Sequence, residues 1–214
     1  MNLMDVILAQ KNGLCFDFFD ALFARATAKS ELPEGYKQVK SLTMDNNCYY
    51  EITDFYLKGS DTIKFACSIT NACNIIGAYS GSGSGANYSV YGTTIGGSYL
   101  RYYSGTYNSK FVANKRYDIT LTPTGSHGME IESPWDELEF TTTKVLCIGT
   151  TSPTVATSAK MRGTFYGKII VEDSDGIRFK GIPCVRLSDN AVGYYDIVSE
   201  TFYEPNGTNP TYTE

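Results

Sequence analysis

One histidine, His127, and one tryptophan, Trp135, occur in the whole 214-residue chain. A histidine-rich zinc site is thereby excluded, and His127 is the single candidate for any histidine-dependent catalysis. Charged residues make up only 19% of the sequence against 42% hydrophobic ones, which excludes a disordered chain. Bases are the minority among the charges, 18 Lys and Arg against 23 Asp and Glu, for a net charge of −5. No general attraction to a phosphate backbone follows, and no nucleic-acid partner is expected. No run approaches the roughly 18 consecutive apolar residues of a membrane-spanning helix, so membrane insertion is not expected either. The stretch from Met1 to Ser30 is apolar, but it lacks a basic leading region and is interrupted by Asp5, Asp17 and Asp20, unlike a secretory signal. The six cysteines, at positions 15, 48, 67, 73, 147 and 184, include no C-x-x-C pair, which removes zinc-ribbon and thioredoxin-type chemistry. Without an export signal, reduced thiols made in a cytosol are expected.

What the sequence does contain falls into two textures. Up to about residue 31, Phe16, Phe19 and Phe23 recur at helical spacing with Leu22 beside them, and residues 16–28 hold no Gly or Pro. This pattern predicts a helix there and a shorter one over 3–10, with Gly13 between them. Ser30, Pro33 and Gly35 mark a boundary, so 1–31 reads as a helical segment and 32–214 as one domain. The stripe of Phe16, Phe19, Leu22 and Phe23 either packs on the domain that follows or docks on another subunit as an assembly anchor; the phenylalanine content favours the anchor.

Beyond residue 36 the texture is β. In TIKFACSIT, Ile63, Phe65, Cys67 and Ile69 alternate with Thr62, Lys64, Ala66 and Ser68. In RYDITLT, Tyr117, Ile119 and Leu121 alternate with Arg116, Asp118, Thr120 and Thr122. Period-two patterning places one set on each face of a sheet, and Cys67 then serves as a small buried hydrophobe. Turn signals recur at Gly59-Ser60, at the glycines of 81–85, at Gly96-Gly97, at Thr124-Gly125 and at Asp175-Gly176, the last a hairpin signal. About a dozen short strands without intervening helices must bury one face against a second sheet, which predicts an all-β sandwich or jelly roll.

Residues 79–108 carry seven Tyr among many Ser and Gly, and no Asp or Glu lies between Asp61 and Asp118. Tyr with Ser and Gly is the composition of adaptable recognition surfaces, although Tyr is also an ordinary strand residue, and at least half of these are expected to be so. Tyr88, Tyr91, Arg101, Tyr102 and Tyr103 are the candidate ligand-binding residues: rings to stack on sugar faces and a guanidinium to grip a polyhydroxylated or anionic chain. Trp135 either joins them or caps the core beside Pro134.

Several stretches resemble one family. LPEGYKQV at Leu32–Val39, CYYEITDFYL, KFACSITNACNIIGAY and KRYDITLTPTG are similar to segments of a domain found in phage and prophage structural proteins. The closing run GTFYGKIIVEDSDGIRFKGIPCVRLSDNAVGYYDIVSETFYEPNGT carries the most specific likeness: Lys168-Ile169, Pro183-Cys184, Gly193 to Asp196, Phe202-Tyr203 and Gly207-Thr208. The likeness covers about residues 32–210. It implies a concanavalin A-like β-sandwich, related in fold to legume lectins, laminin G-like modules and laminarinase-type glycosidases. It also implies a virion protein of tail, baseplate or head appendage, assembled in the bacterial host cytoplasm. Its partners would be other virion subunits, reached through the N-terminal segment, and a host surface polysaccharide; repetition around the particle would make it a homo-oligomer, a trimer for example.

Because the fold also hosts glycosidases, the acidic run MEIESPWDELEF needs a test. Retaining glycosidases set two carboxyls about 5 Å apart, and the laminarinase-type motif Glu-x-Asp-x-x-Glu does so along a strand. Glu130 and Glu132 have the first spacing, but the third acid would fall at Trp135, and Pro134 interrupts the strand. The motif is broken, and no enzyme is expected; a glycan-cleaving glycosidase and a ligand-free decoration protein are the alternatives. His127, in a Thr-Gly-Ser-His-Gly turn, reads as an exposed loop histidine. Asp173-Ser174-Asp175-Gly176 matches the start of a calcium loop, but no later ligands are in register, so the hairpin explains it better and neither metal nor cofactor is expected.

Overall fold

The computed structural model describes residues 30–79, 87–92, 99–103, 105–154, 156 and 159–214. The chain divides into two compact units, Met1–Pro33 and Glu34–Glu214. The predicted helices over 3–10 and 16–28, and with them Phe16, Phe19, Leu22 and Phe23, lie outside the described residues, as do the turn glycines of 81–85 and 96–97.

The second unit is all-β, with two antiparallel sheets and eighteen strands among the described residues, more than the dozen expected. They are β1 (Tyr36–Gln38), β2 (Ser41–Met44), β3 (Cys48–Lys58), β4 (Thr62–Ile69), β5 (Cys73–Ala78) and β6 (Asn87–Gly92). β7 (Tyr99–Tyr103), β8 (Gly105–Asn108), β9 (Tyr117–Thr122), β10 (Gly125–His127), β11 (Ser133–Pro134) and β12 (Thr141–Ile148) follow. β13 (Gly163–Asp173), β14 (Gly176–Arg186), β15 (Ala191–Asp196), β16 (Thr201–Tyr203), β17 (Asn206–Gly207) and β18 (Thr211–Thr213) complete the fold. The larger sheet runs β11-β10-β9-β4-β13-β14-β15-β16, with β1, β2 and β18 attached. The smaller runs β17-β3-β12-β5-β6-β7-β8.

The alternation visible in the sequence sorts side chains between core and outer face. Ile63, Phe65, Cys67 and Ile69 of β4 are buried beside Tyr117, Ile119 and Leu121 of β9, with Phe65 opposite Ile119 and Cys67 opposite Tyr117. Phe165, Ile169 and Val171 of β13 continue the row, and the Phe65 and Phe165 rings lie 6.1 Å apart. From the other sheet come Tyr50, Ile52, Val90, Leu100 and Leu146, all fully buried. Five free cysteines, at 48, 67, 73, 147 and 184, are buried too. Burial pushes the thiols up, Cys73 to about 11 and Cys48, Cys147 and Cys184 to about 12, so at neutral pH they are protonated and inert as nucleophiles.

The Asp175-Gly176 signal does form the β13–β14 hairpin. Asp173 pairs with Gly176, so Ser174 and Asp175 make the turn and the glycine opens β14 at φ 130°. Asp173 is engaged within the hairpin and by β3: the Asp175 N–H donates to Oδ1 at 2.9 Å, and Lys58 Nζ reaches Oδ2 at 3.2 Å. Among the described residues no cluster of three His, Cys, Asp or Glu side chains could hold a metal, and no helix is long and apolar enough to cross a membrane.

A buried ion pair joins the two sheets beside that hairpin. Asp61, fully buried after β3, accepts Arg178 Nη1 at 2.5 and 2.6 Å and the Lys58 N–H at 2.7 Å. Arg178 also donates to the Tyr56 carbonyl at 3.0 Å and lies over the Phe55 ring. Burial raises the Asp61 pKa and outweighs the lowering by Arg178, which marks the desolvation cost of this site. Asp61→Ala, which leaves the guanidinium only Asp173 at 3.7 Å and the Tyr56 carbonyl, is expected to cost about 3 kcal/mol in urea unfolding, against about 0–1 kcal/mol for Asp118→Ala in the exposed pair with Arg116. Equal losses would show that the Asp61 pair does not join the sheets.

Candidate functional site

The larger sheet carries a groove on its outer face, and its origin lies in β13. The first half of β13 pairs with β2, from Gly163 opposite Met44 to Tyr166 opposite Ser41. The second half pairs with β14, from Ile169 opposite Gly181 onward. On its other side β13 stays with β4 but slips: Tyr166 faces Ala66, while Ile170 faces Lys64. The slack is taken up around Gly167, at φ 68°, where a glycine fits without strain and where no heavy atom would lie within 4 Å of an added Cβ. There the sheet forks. The Gly167 N–H donates to the Lys40 carbonyl at 2.8 Å, and the Lys40 N–H to the Thr213 carbonyl at 2.8 Å, so the link between β1 and β2 is stitched into the fork.

Three adjoining depressions open on this face, of about 640, 540 and 250 Å³, and Tyr166 lines all of them. Its hydroxyl and that of Ser68 share a hydrogen bond of 3.0 Å, and the Arg116 guanidinium lies 5.0 Å from its ring centroid. Arg116 in turn donates to Asp118 at 2.8 Å. Across the groove the hydroxyls of Thr43 and Thr164 meet at 2.8 Å and those of Ser41 and Thr213 at 2.7 Å. The result is a shallow trough with one half-buried aromatic ring, a stacked guanidinium and a border of hydroxyls. Such a surface can pack a sugar face against a ring and satisfy its hydroxyls.

The residues singled out in the sequence are placed differently. Tyr88 and Tyr102 face each other across β6 and β7 on the core side, 1% and 0% exposed. The Tyr102 ring is enclosed by Trp135, stacked at 5.0 Å, by Phe140 at 5.1 Å and by Tyr88 at 5.6 Å. Its hydroxyl donates to the Gly59 carbonyl at 2.9 Å and accepts the Leu138 N–H at 3.2 Å. Trp135, 7% exposed, also packs on Tyr107 and closes the core beside Pro134. These three rings have no face left for a ligand, because the alternation that builds the sheet turns them inward. Tyr103 is exposed and packs at 5.4 Å on Phe140, with φ 55°. Tyr91 is half-buried and opposite Asn74, and Arg101 stands opposite Ser89 in β7. Tyr88, Tyr91, Tyr102, Tyr103 and Trp135 are not among the residues that line the groove.

Tyr166 and Arg116 were not singled out, although both parities were readable. Tyr166 follows the inward Phe165, and Arg116 precedes the inward Tyr117. Only the order β9-β4-β13, which the sequence does not encode locally, brings the two together.

The acidic run 130–139 takes a shape that strand spacing did not anticipate. Residues 128–132 form a bend between β10 and β11, so Glu130 and Glu132 do not share a strand face. Glu130 accepts Lys115 Nζ at 2.5 Å and the Tyr117 hydroxyl at 2.8 Å. Glu132 accepts the Gly128 N–H at 3.2 Å and lies 3.2 Å from Nδ1 of the exposed His127. These contacts hold both carboxyls below the ordinary glutamate value, whereas a glycosidase acid needs its pKa raised.

No family model matches the chain, and no curated protein matches it. Among solved structures it is similar to a "putative carbohydrate binding protein" from Bacteroides ovatus, with a TM-score of 0.53 and 13% identity over 83% of this chain. The match covers 61% of that protein, and at this identity the likeness is one of fold.

Because both glutamate pKa values are depressed, their contacts persist as pH falls from neutral and are lost only below the ordinary value of 4.5. Carboxyl NMR titration should place both midpoints under 4.5; a midpoint near 6 at either would restore it as a general acid.

Proposed function

We propose that this chain is a bacteriophage virion protein whose concanavalin A-like sandwich adheres to host surface polysaccharide through the groove around Tyr166. The observation that carries the binding reading is the Tyr166–Arg116 pair set among the hydroxyls of Ser68, Thr43 and Thr164. A half-buried ring with a guanidinium beside it, among hydroxyls that donate and accept, offers a polyhydroxylated chain both packing and hydrogen bonding. The fold shared with a carbohydrate-binding candidate supports the same reading. The virion role, on tail, baseplate or head appendage, rests on the sequence resemblance alone. In it, the N-terminal segment 1–31 joins the domain to other virion subunits in the host cytoplasm. Repetition as a homo-oligomer, a trimer for example, multiplies a weak single site through effective concentration.

Binding without cleavage is favoured over a glycosidase. The Glu130–Glu132 pair that begins the glycosidase motif lacks its third acid, replaced by Trp135, and is split by a bend, with both carboxyls held below the ordinary glutamate value.

The experiment is a glycan array probed with the intact protein, unchanged and as Tyr166→Ala. Loss of the stacking ring is expected to weaken binding about tenfold, with the circular dichroism of the fold unchanged. Loss on Arg101→Ala with none on Tyr166→Ala would move the site to the smaller sheet, and retention of binding by both variants would remove the groove from the account.

A further inference from the structure

We infer that the sugar chain taken by the Tyr166 groove is an acidic polysaccharide, bearing carboxylate or phosphate-ester groups. The inference rests on the groove being the polysaccharide site and adds the charge of the ligand. The lining of its three depressions includes Lys40, Lys64, Arg116, Arg162 and Lys168, five of the 18 bases of a chain whose net charge is −5. Only two acids, Asp45 and Asp118, share that lining. A cationic trough on an anionic protein is an electrostatic address, because the excess of like charge elsewhere repels the same ligand from the wrong faces.

The two acids are already engaged. Asp45 accepts the Thr208 hydroxyl at 2.7 Å and the Asn47 N–H at 3.1 Å. Asp118 takes one amino group of Arg116, whose guanidinium lies on Tyr166 with donors to spare. Lys64 is paired with Glu172. Lys40 is exposed at the fork, where the only acid that feels its charge among the described residues is Glu214, itself bonded to Lys37. Its backbone is fixed on both sides, through the Gly167 N–H and the Thr213 carbonyl, so its side chain springs from a fixed point beside the open space over Gly167. Arg116 on one flank and Lys40 on the other, with the Tyr166 ring in the same trough, set cation, stacking face and cation in sequence. An acidic chain laid across the strands would meet its charge partners at both flanks while a sugar ring rests on the tyrosine.

The test measures binding of the intact protein to polygalacturonate (carboxylate), polyglycerol phosphate (phosphate ester), neutral dextran and single-stranded DNA. Unchanged protein is compared with Lys40→Gln and Lys40→Arg. At least one of the two acidic polymers should bind more tightly than dextran, and binding should weaken about tenfold when salt is raised about fourfold. Which of the two binds separates the carboxylate source from the phosphate one. Lys40→Gln should lose about threefold to tenfold, and Lys40→Arg should retain binding, since only charge is asked of this side chain. Three results overturn the inference while leaving the groove as a sugar site: dextran bound as tightly as the acidic polymers, no salt dependence, or no change on Lys40→Gln. DNA bound as tightly as the acidic polysaccharides would show attraction to any polyanion and overturn it also. Binding of none of the polysaccharides would overturn both this inference and the reading on which it rests.

Discussion

A strand that has buried one face must keep every second side chain pointed away from the core, and β13 does so across eleven residues while exchanging one neighbour for another. Phe165, Ile169 and Val171 stay inside throughout, which fixes Tyr166 and Lys168 on the other face. The exchange from β2 to β14 cannot occur without slack, and the slack sits at Gly167, where a positive φ opens the fork. Everything proposed about this molecule depends on that combination of a rigid inward row and a local departure in register. The inward row supplies a packed floor. The departure opens a trough in what would otherwise be a flat sheet.

The energetics divide along the same line. The core is held by apolar rows from both sheets and by ring contacts such as Tyr50 against Tyr194 at 5.0 Å. Its polar exception, Asp61 with Arg178, is buried and ties the end of β3 to the hairpin of β13 and β14. The groove, by contrast, is built from exposed or half-exposed side chains whose ion pairs contribute little to stability. Substitutions there are therefore free to change binding without unfolding the domain, which makes the surface open to direct test.

Much of the fold was legible because it follows from period two. The inward sets of β4 and β9 and the hairpin at Asp175-Gly176 could be derived residue by residue, and capping by Trp135 is one of two readings the sequence leaves open. The burial of Tyr88 and Tyr102 has a reason that is also physical. Tyrosine density suggests a surface, yet parity in NYSVYG puts Tyr88 with the apolar Val90, and parity in YLRYY puts Tyr102 with Leu100. Both apolar partners mark the core face, so the signal for burial was present and outvoted by composition. The groove itself was not readable, since Thr43, Ser68, Arg116 and Tyr166 come from or beside four strands far apart in the sequence. Only pairing of β9 with β4, and of β13 with both β4 and β2, assembles them. The predicted anchor of Phe16, Phe19, Leu22 and Phe23 lies outside the described residues and stands on helical spacing alone.

The most direct measurement is a map of amide and side-chain NMR shifts as a soluble polysaccharide fragment is added to the labelled protein. The account predicts that perturbations concentrate at Thr43, Ser68, Arg116 and Tyr166 and at the Lys40–Gly167 fork. Perturbations confined to Ser89, Tyr91 and Arg101 on the smaller sheet would contradict it.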